Sequence, residues 1–239
     1  FSQFTGAELV ADKWNLSRED LDEFALESHQ KAANATESKY FDREILPVEG
    51  KNAEGINELV LADEGIRFDA SLDKLAGLKP VTDGGVITAG NASQITDGAA
   101  AVMICNDAGL KKIQSNPRAE IVSISVVGDD PVFMLTGPIP ASKKALEAAG
   151  LSIDDMDLYE VNEAFAPVPL AWAHDLEADK SKLNVNGGAM ALGHPLGATG
   201  AKLMTTMLHE LERRNGNYAL QAICEGGGTA NATIIKRLS

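Results

Sequence analysis

The 239-residue chain contains little cysteine, few aromatic residues and a small share of positive charge. Its two cysteines, Cys105 and Cys224, are too few for a disulfide framework and lack the C-x-x-C spacing of a zinc site, so we expect free thiols in a reducing compartment. Lys and Arg number 21 against 35 Asp and Glu, giving a net charge of −14. That charge excludes a basic nucleic-acid-binding surface as the default interpretation.

Long hydrophobic runs are also lacking. No apolar stretch approaches the roughly 20 residues of a membrane-spanning helix, and the polar opening Phe1-Ser2-Gln3 is not a signal-peptide core. With 44% hydrophobic and 23% charged residues, the composition is that of a globular protein. We therefore expect a soluble, cytoplasmic protein of one or two domains, without nucleic-acid or membrane partners.

The first part of the sequence predicts two helices followed by a loop-rich segment. Capping-box spacings at residues 5–8 and 17–20 predict helices to about Trp14 and about Ser38. Between residues 41 and 85 the helical periodicity fades and glycines and charges intersperse short apolar runs. A connection of this length indicates a binding or lid region packed on something larger.

Beyond residue 85 the pattern predicts alternating strands and helices. The apolar runs at residues 86–89 and 99–104 are typical of buried central strands. Further strands are expected at 119–127, 157–161, 183–185, 218–224 and 229–236, and helices at 106–115, 140–149, 163–176 and from the glycine-rich loop to about 214. This alternation predicts an α/β fold with helices on the faces of a sheet.

Three clusters in the last third of the chain are candidates for chemistry. Asn162-Glu163-Ala164-Phe165 follows a predicted strand, where open α/β sheets bind ligands, although Asn162 could simply cap a helix. Residues 186–200 place five glycines around His194 in a strand-to-helix loop. Such glycines let backbone approach a ligand closely, and the helix start offers free amides to negative charge. The loop matches neither G-x-G-x-x-G nor a P-loop, and its histidine is either structural or an acid–base group.

The third cluster, Cys224 to Gly228, ends another predicted strand with a thiol and three glycines. Taken alone, Cys224 is either a small buried hydrophobe or a reactive thiol. In combination, the amide of Asn162, the imidazole of His194 and this thiol could anchor a water, act as general base and transfer a proton.

In the order of these motifs the chain resembles the C-terminal part of the thiolases, which are acetyl-CoA acyltransferases. The resemblance covers essentially the whole chain and rests on residues 7–8, 17–22, 88–93, 97–100, 137–141, 162–165, 186–200 and 224–228. The related ketoacyl synthases carry a second histidine instead of Asn-Glu-Ala-Phe, and a phenylalanine-rich glycine turn instead of Cys-x-Gly-Gly-Gly. Asn162 and Cys224 therefore favour a thiolase.

The resemblance implies a layered αβαβα thiolase fold and a reaction. Residues 1–92 would form most of the loop domain, 93–117 the closing segment of the N-terminal half, and 118–239 the C-terminal half. The implied reaction is CoA-dependent cleavage of a 3-ketoacyl-CoA to acetyl-CoA and a shortened acyl-CoA, or the reverse Claisen condensation. Coenzyme A is then a substrate, no tightly bound cofactor or metal is needed, and the protein would be a homodimer or homotetramer.

The same resemblance implies roles for four catalytic residues. His194 would take the proton from a nucleophilic cysteine and, with a water held by Asn162, form an oxyanion hole for the thioester oxygen. Cys224 would move the proton at the α-carbon of the substrate. The amide of Gly226 would contribute to a second oxyanion hole.

Two further residues would contact the substrate: Ser93 the pantetheine arm of CoA, and Phe165 the acyl chain as part of its pocket. Several positions depart from the family pattern. Residues 2–4 replace a His-Met-Gly found in biosynthetic thiolases, Gln94 replaces a glycine, and residues 167–172 carry two prolines and a tryptophan. These departures suggest a reshaped pocket and a degradative role on a larger acyl chain, with a short-chain biosynthetic acetoacetyl-CoA thiolase as the alternative.

One departure is large, because in thiolases the nucleophilic cysteine lies upstream of anything that resembles Phe1. Neither Cys105 nor Cys224 occupies its motif. We therefore expect the nucleophile outside this chain, no activity from the 239 residues alone, and uncovered apolar surface at residues 86–89 and 99–104. An inactive module that binds CoA or a partner chain is a second hypothesis. A metal hydrolase using His194 and Cys224 is weakly supported, because the His and Cys are too few and no H-E-x-x-H occurs.

Overall fold

Two helices open the part of the chain that the computed structural model describes, residues 2–51 and 54–238. They are α1, Gln3–Lys13, and α2, Arg18–Glu37. The capping box predicted for α2 is confirmed: Ser17 N donates to Asp20 Oδ2 at 2.7 Å and Asp20 N donates to Ser17 Oγ at 3.2 Å. The other predicted cap lies inside α1, because Ser2 already occupies the N-cap position there. Phe1, in the first predicted domain, lies outside the described residues.

The loop-rich segment contains more regular structure than the sequence indicated. Strands β1, Val48–Lys51, and β2, Asn57–Val60, pair antiparallel, and α3, Leu72–Ala76, adds one turn of helix. Both strands are four residues long and mostly exposed, so neither shows the alternation by which a half-buried strand is identified.

The two strands expected at residues 86–89 and 99–104 do not form in the described chain. In the first run Ile87 and Thr88 are buried, but the carboxylate of Glu8 accepts hydrogen bonds from Val86 N and Ile87 N, both at 3.0 Å. The second run is exposed: Met103 retains 77% and Ile104 67% of their accessible surface, and Cys105 is an exposed free thiol. A continuous apolar run does not supply a neighbouring strand. Within the described residues, the first run pairs through one isolated bridge, between Thr88 and Pro80, and the second run has no strand beside it.

A four-stranded mixed sheet follows, and it confirms the predicted α/β class. After α4, Asp107–Ile113, the elements are β3, Ala119–Gly128; α5, Pro138–Ala149; β4, Leu158–Val161; α6, Pro167–Asp175; α7, Ala189–Leu192; α8, Thr199–Arg214; β5, Tyr218–Cys224; and β6, Thr229–Arg237. The strand order is β3-β6-β5-β4, with β4 parallel to β5 and the other neighbours antiparallel. The strand expected at 183–185 is reduced to a bridge between Leu183 and Tyr159.

Helices cover both faces of this sheet. Ala141 and Ala145 of α5 share one buried cluster with Ile234 of β6, while Met207 and Leu211 of α8 belong to another on the opposite face. The helix predicted from residue 163 begins only at Pro167, whose fixed φ and missing N–H suit the first turn.

The ends of two strands place the candidate residues. The parallel strands β4 and β5 both end at the same edge of the sheet, β4 just before Asn162 and β5 at Cys224. That edge is where α/β sheets bind their ligands.

Candidate active site

A cavity of about 430 Å³ lies at this edge of the sheet. Three of the predicted site residues line it: His194, Cys224 and Gly226. Apolar side chains, among them Met134 and Ile223, form other parts of the wall. An apolar enclosure with a few convergent polar groups is the usual form of a small-molecule site.

The glycine-rich loop reaches the cavity by packing closely against α2. Gly187 has φ of +80°, and a Cβ at this position would lie 2.5 Å from the carbonyl oxygen of Ser28. Only glycine accommodates both the left-handed backbone and this approach. The short helix α7 then packs on α2 and leads to His194.

The buried carboxylate of Glu163 fixes this loop from the other side. It accepts hydrogen bonds from Ser28 Oγ at 2.7 Å, Asn184 Nδ2 at 2.9 Å and Met190 N at 3.1 Å. Ser28 Oγ in turn accepts from Gly188 N at 3.0 Å. Burial raises the pKa of Glu163, and the three donors act in the opposite direction. In the sequence Glu163 stands out only as part of the Asn-Glu-Ala-Phe motif, because the neighbouring residues do not indicate a hydrogen-bond partner as distant along the chain as Ser28.

His194 is held at its backbone and at both ring nitrogens. Its N–H donates to Gln94 O at 3.0 Å, its Nδ1 lies 2.7 Å from Thr199 Oγ1, and its Nε2 lies 3.4 Å from Asn162 Nδ2. Burial lowers the pKa of His194, and the charge of Lys202 acts in the same direction. A neutral imidazole at pH 7 can act as a base.

Asn162 does not line the cavity but reaches His194 from the end of β4. Its backbone N–H donates to Ala222 O at 3.0 Å, which continues the pairing of the two parallel strands. Its Oδ1 is buried and has no hydrogen-bond partner within the described chain. A buried acceptor without a partner suits a donor such as a water.

Cys224 ends β5 in a buried position, with 8% of its surface accessible. Burial raises its pKa to about 12, so the thiol keeps its proton at neutral pH. The triple-glycine turn that follows has φ of +74° at Gly227 and +84° at Gly228. Asn231 Nδ2 donates to Glu225 Oε1 at 2.6 Å and steadies the turn that carries Gly226.

The structure does not bring Ser93 and Phe165 onto the described walls of the cavity. Ser93 N donates to Ala164 O at 3.0 Å, and Ala164 itself lines the cavity. The ring of Phe165 is buried edge-on against Phe4, with 5.4 Å between centroids. Trp172, which we had expected to reshape the pocket, is fully buried in the core.

Gln94, which replaces a glycine of the family pattern, makes side-chain hydrogen bonds that were not predicted from the sequence. Its Nε2 donates to Gly65 O at 2.7 Å and to Met190 O at 2.6 Å, which joins the loop-rich segment to the glycine-rich loop. A glycine at this position would have no such side-chain contacts.

Residues 2–51 and 54–238 contain neither a cluster of metal-ligating side chains nor a membrane-spanning helix. No group of three or more His, Cys, Asp or Glu side chains there is arranged to hold a metal ion. None of the helices described is long and apolar enough to cross a membrane.

Two family models match the chain along most of its length. The model described as thiolase, N-terminal domain, matches residues 4–108, and that described as thiolase, C-terminal domain, matches residues 115–237.

Relatives with the same family name cover nearly all of the chain. The steroid 3-ketoacyl-CoA thiolase FadA6 of Mycobacterium tuberculosis is 55% identical over 237 residues, which are 99% of this chain and 57% of that protein. The crystal structure of human mitochondrial 3-ketoacyl-CoA thiolase has a TM-score of 0.94 at 46% identity and covers 98% of this chain and 59% of its own. The Bacillus anthracis acetyl-CoA acetyltransferase also has a TM-score of 0.94, at 42% identity, with 98% and 60% covered.

The chain thus spans somewhat more than half the length of these relatives. Within that span, both family models and the fold agree with a thiolase. The chain belongs to the thiolase family.

Proposed function

We propose that the protein is an acyl-CoA thiolase that cleaves a 3-ketoacyl-CoA with CoA, giving acetyl-CoA and a shortened acyl-CoA. The observation that carries this proposal is the meeting of His194, Cys224 and Gly226 around one cavity, with Asn162 against the imidazole. The reaction needs a base, a proton donor and a hydrogen-bond donor to the oxyanion, and the imidazole, the thiol and the backbone amide can supply them in that order. Relatives named 3-ketoacyl-CoA thiolases support the same direction of the reaction.

The groups on this chain divide the chemistry between two half-reactions. In the first, a nucleophilic cysteine thiolate, whose proton His194 Nε2 has taken, attacks the 3-keto carbon. The bond between C2 and C3 breaks, and the acetyl-CoA carbanion takes a proton from the thiol of Cys224. In the second, the thiol of CoA gives its proton to the thiolate of Cys224 and attacks the acyl-enzyme thioester. The shortened acyl-CoA leaves, and the nucleophilic cysteine released from the thioester takes back its proton from the imidazolium of His194.

The oxyanions of these steps have two candidate sites. The unpartnered Oδ1 of Asn162 would hold a water that, with His194, donates to the thioester oxygen. The amide of Gly226, on the other side of the cavity, would stabilise the second oxyanion. The high pKa of Cys224, about 12, supports its role as proton donor, because the thiol is protonated at neutral pH.

The substrate class is proposed from the names of the relatives and from the residues beside the cavity. A relative named for steroid substrates at 55% identity supports a degradative role on a larger acyl chain. The human relative crystallised with CoA supports CoA as a substrate, with Ser93 near its pantetheine arm and no tightly bound cofactor. Phe165 would support the acyl pocket through the neighbouring wall residue Ala164.

In this proposal the nucleophile lies outside the 239 residues of this sequence, because Cys105 is exposed and Cys224 has the proton-transfer role. The exposed apolar run at residues 99–104 supports a partner surface for that part of the protein. The proposal also includes a division into residues 1–92, 93–117 and 118–239. It further includes a cytoplasmic location and assembly as a homodimer or homotetramer.

The test is the release of CoA from acetyl-CoA in the first turnover, measured on the protein that carries this chain together with the nucleophile. His194→Ala should abolish the burst, because an unactivated thiol with a pKa of about 8.5 is mostly protonated at pH 7. Wild-type burst amplitude and rate in His194→Ala would contradict the base role.

A second measurement distinguishes the enzyme from an inactive binding module. The mass-verified 239-residue chain should bind CoA without cleaving acetoacetyl-CoA. Turnover on the order of 1 to 1,000 per second by these residues alone would contradict the assignment of an external nucleophile. Absence of both a burst and turnover in the longer protein would favour the binding module.

A further inference from the structure

The hydroxyl of Thr199 lies between the imidazole of His194 and a backbone carbonyl. Thr199 is the first residue of α8 and is buried. Its Oγ1 lies 2.7 Å from His194 Nδ1 and 3.0 Å from Pro195 O. Both distances are those of hydrogen bonds, so the proton of this hydroxyl decides which tautomer the histidine adopts.

A threonine hydroxyl has one proton and two lone pairs. If that proton is donated to Pro195 O, then Oγ1 accepts a hydrogen bond from Nδ1–H, and both contacts are satisfied. If the proton is donated to Nδ1 instead, Pro195 O loses the hydroxyl donor and keeps the backbone N–H groups of Ala198 and Thr199, at 2.8 and 2.9 Å. The first arrangement has one more hydrogen bond than the second.

The other ring nitrogen gives independent support. Nε2 of His194 lies 3.4 Å from Nδ2 of Asn162, an atom that can only donate, which agrees with a lone pair on Nε2. The opposite tautomer would require the amide of Asn162 to turn, leaving a buried NH₂ without an acceptor in place of the unpartnered Oδ1. Buried donors without partners are rarer than buried acceptors without partners.

We propose that Thr199 is a positioning residue that holds His194 in the tautomer with its proton on Nδ1, which leaves a lone pair on Nε2. The inference rests on the base role proposed above for His194. In this tautomer Nε2 can take the proton of a nucleophilic thiol, and the imidazolium formed keeps its Nδ1–H bond to Thr199. The opposite tautomer presents N–H at Nε2 and can accept no proton there.

The tautomer can be measured without any catalytic activity. The sequence contains four histidines, so selective ¹⁵N-histidine labelling gives few signals, and the signal lost in His194→Gln identifies this residue. In the wild-type protein, above the pKa of His194, we expect a protonated Nδ1 and an unprotonated Nε2. Thr199→Ser should preserve that pattern, whereas Thr199→Val should populate the Nε2–H form.

Thr205→Val is the matched control, because Thr205 Oγ1 also donates to the carbonyl four residues earlier, Ala201 O at 2.8 Å, on the same helix. It should leave the His194 pattern unchanged. In the acyl-transfer assay, Thr199→Val should lower kcat about 10- to 100-fold, as loss of a residue that orients a functional histidine does, with little change in KM. Thr199→Ser should restore most of the rate.

Two results would overturn the proposal: an Nε2–H tautomer in the wild-type protein, or an unchanged pattern in Thr199→Val. These results are distinguishable from failure of the proposed function. If His194→Ala retained a normal CoA burst while the spectra came out as expected, the base role would be wrong and the tautomer assignment would stand.

Discussion

Replacing Ser28 with alanine removes the two hydrogen bonds of its hydroxyl, one to the glycine-rich loop and one to the carboxylate of Glu163. The hydroxyl donates to Glu163 Oε2 at 2.7 Å and accepts from Gly188 N at 3.0 Å, and Ser28 is buried. Alanine fits the same space but can neither donate nor accept. We expect Ser28→Ala to loosen the loop that carries His194 rather than to unfold the sheet.

The magnitude follows from the two bonds. The N–H of Gly188 would stay buried without an acceptor, at a cost of about 1–3 kcal/mol, and the carboxylate of Glu163 would lose one of its donors, at about 1 kcal/mol. Because the carboxylate of Glu163 keeps its hydrogen bonds from Asn184 and Met190, losing the donor of Ser28 costs it no more than this lower value. The sum is about 2–4 kcal/mol, which corresponds to an opening equilibrium about 30- to 1,000-fold larger.

Amide hydrogen exchange measures this opening locally. Peptides that cover residues 186–193 should exchange faster in Ser28→Ala by that factor, while peptides from β5 and β6 should exchange as in the wild type. Ser142→Ala is the matched control, because Ser142 is also buried and its Oγ accepts from Trp172 Nε1 at 2.8 Å, within α5. Exchange of the loop within threefold of wild type in Ser28→Ala, or equal acceleration in Ser142→Ala, would refute the reasoning.

Four other predictions concern the thiols and one glycine. Cys224→Ala should keep the CoA burst but lose deuterium exchange at the methyl group of acetyl-CoA; undiminished exchange would assign that proton to another base. At pH 8 iodoacetamide should label the exposed Cys105 and spare Cys224, as peptide mass spectrometry can show, because burial raises the pKa of Cys224 from 9.0 to about 12. For the same reason the unfolded chain loses this proton first, so stability should fall between pH 9.0 and about 12, and less so in Cys224→Ala, as urea titrations would show. Gly187→Ala should destabilise the protein by at least about 1–2 kcal/mol, while Gly128→Ala, with open space around it, should stay within about 0.5 kcal/mol; similar urea midpoints for the two would contradict the close approach to α2.

Local signals in the sequence predicted much of the fold. The capping box at Ser17 and Asp20 is visible within four residues, and the structure confirms the helix it begins. The strands β4, β5 and β6 are largely buried and contain apolar stretches that show in the sequence, whereas β3 is mostly exposed or half-buried. The run at 99–104 has the same appearance, but a strand needs a neighbour, and sequence pattern does not reveal whether one is present.

The candidate site was predictable only in part. His194, Cys224 and Gly226 stand out by residue type and by the glycines beside them, and the structure places them on one cavity. The contacts that hold these residues in place join parts of the chain that are far apart in sequence. Ser28 and Glu163 are 135 residues apart along the chain, so no periodicity or spacing could pair them.

The contact of α2 with the glycine-rich loop also bears on how this protein can be divided. The two family models separate the chain near residue 110, yet Ser28 belongs to the first and the loop it holds belongs to the second. A recombinant fragment of residues 115–237 would contain the sheet, His194 and Cys224 but not the surface on which the loop rests. The boundary in sequence therefore separates the candidate site from the helix on which its loop rests, and moving the C-terminal domain of this chain into another protein would require α2 to be transferred with it.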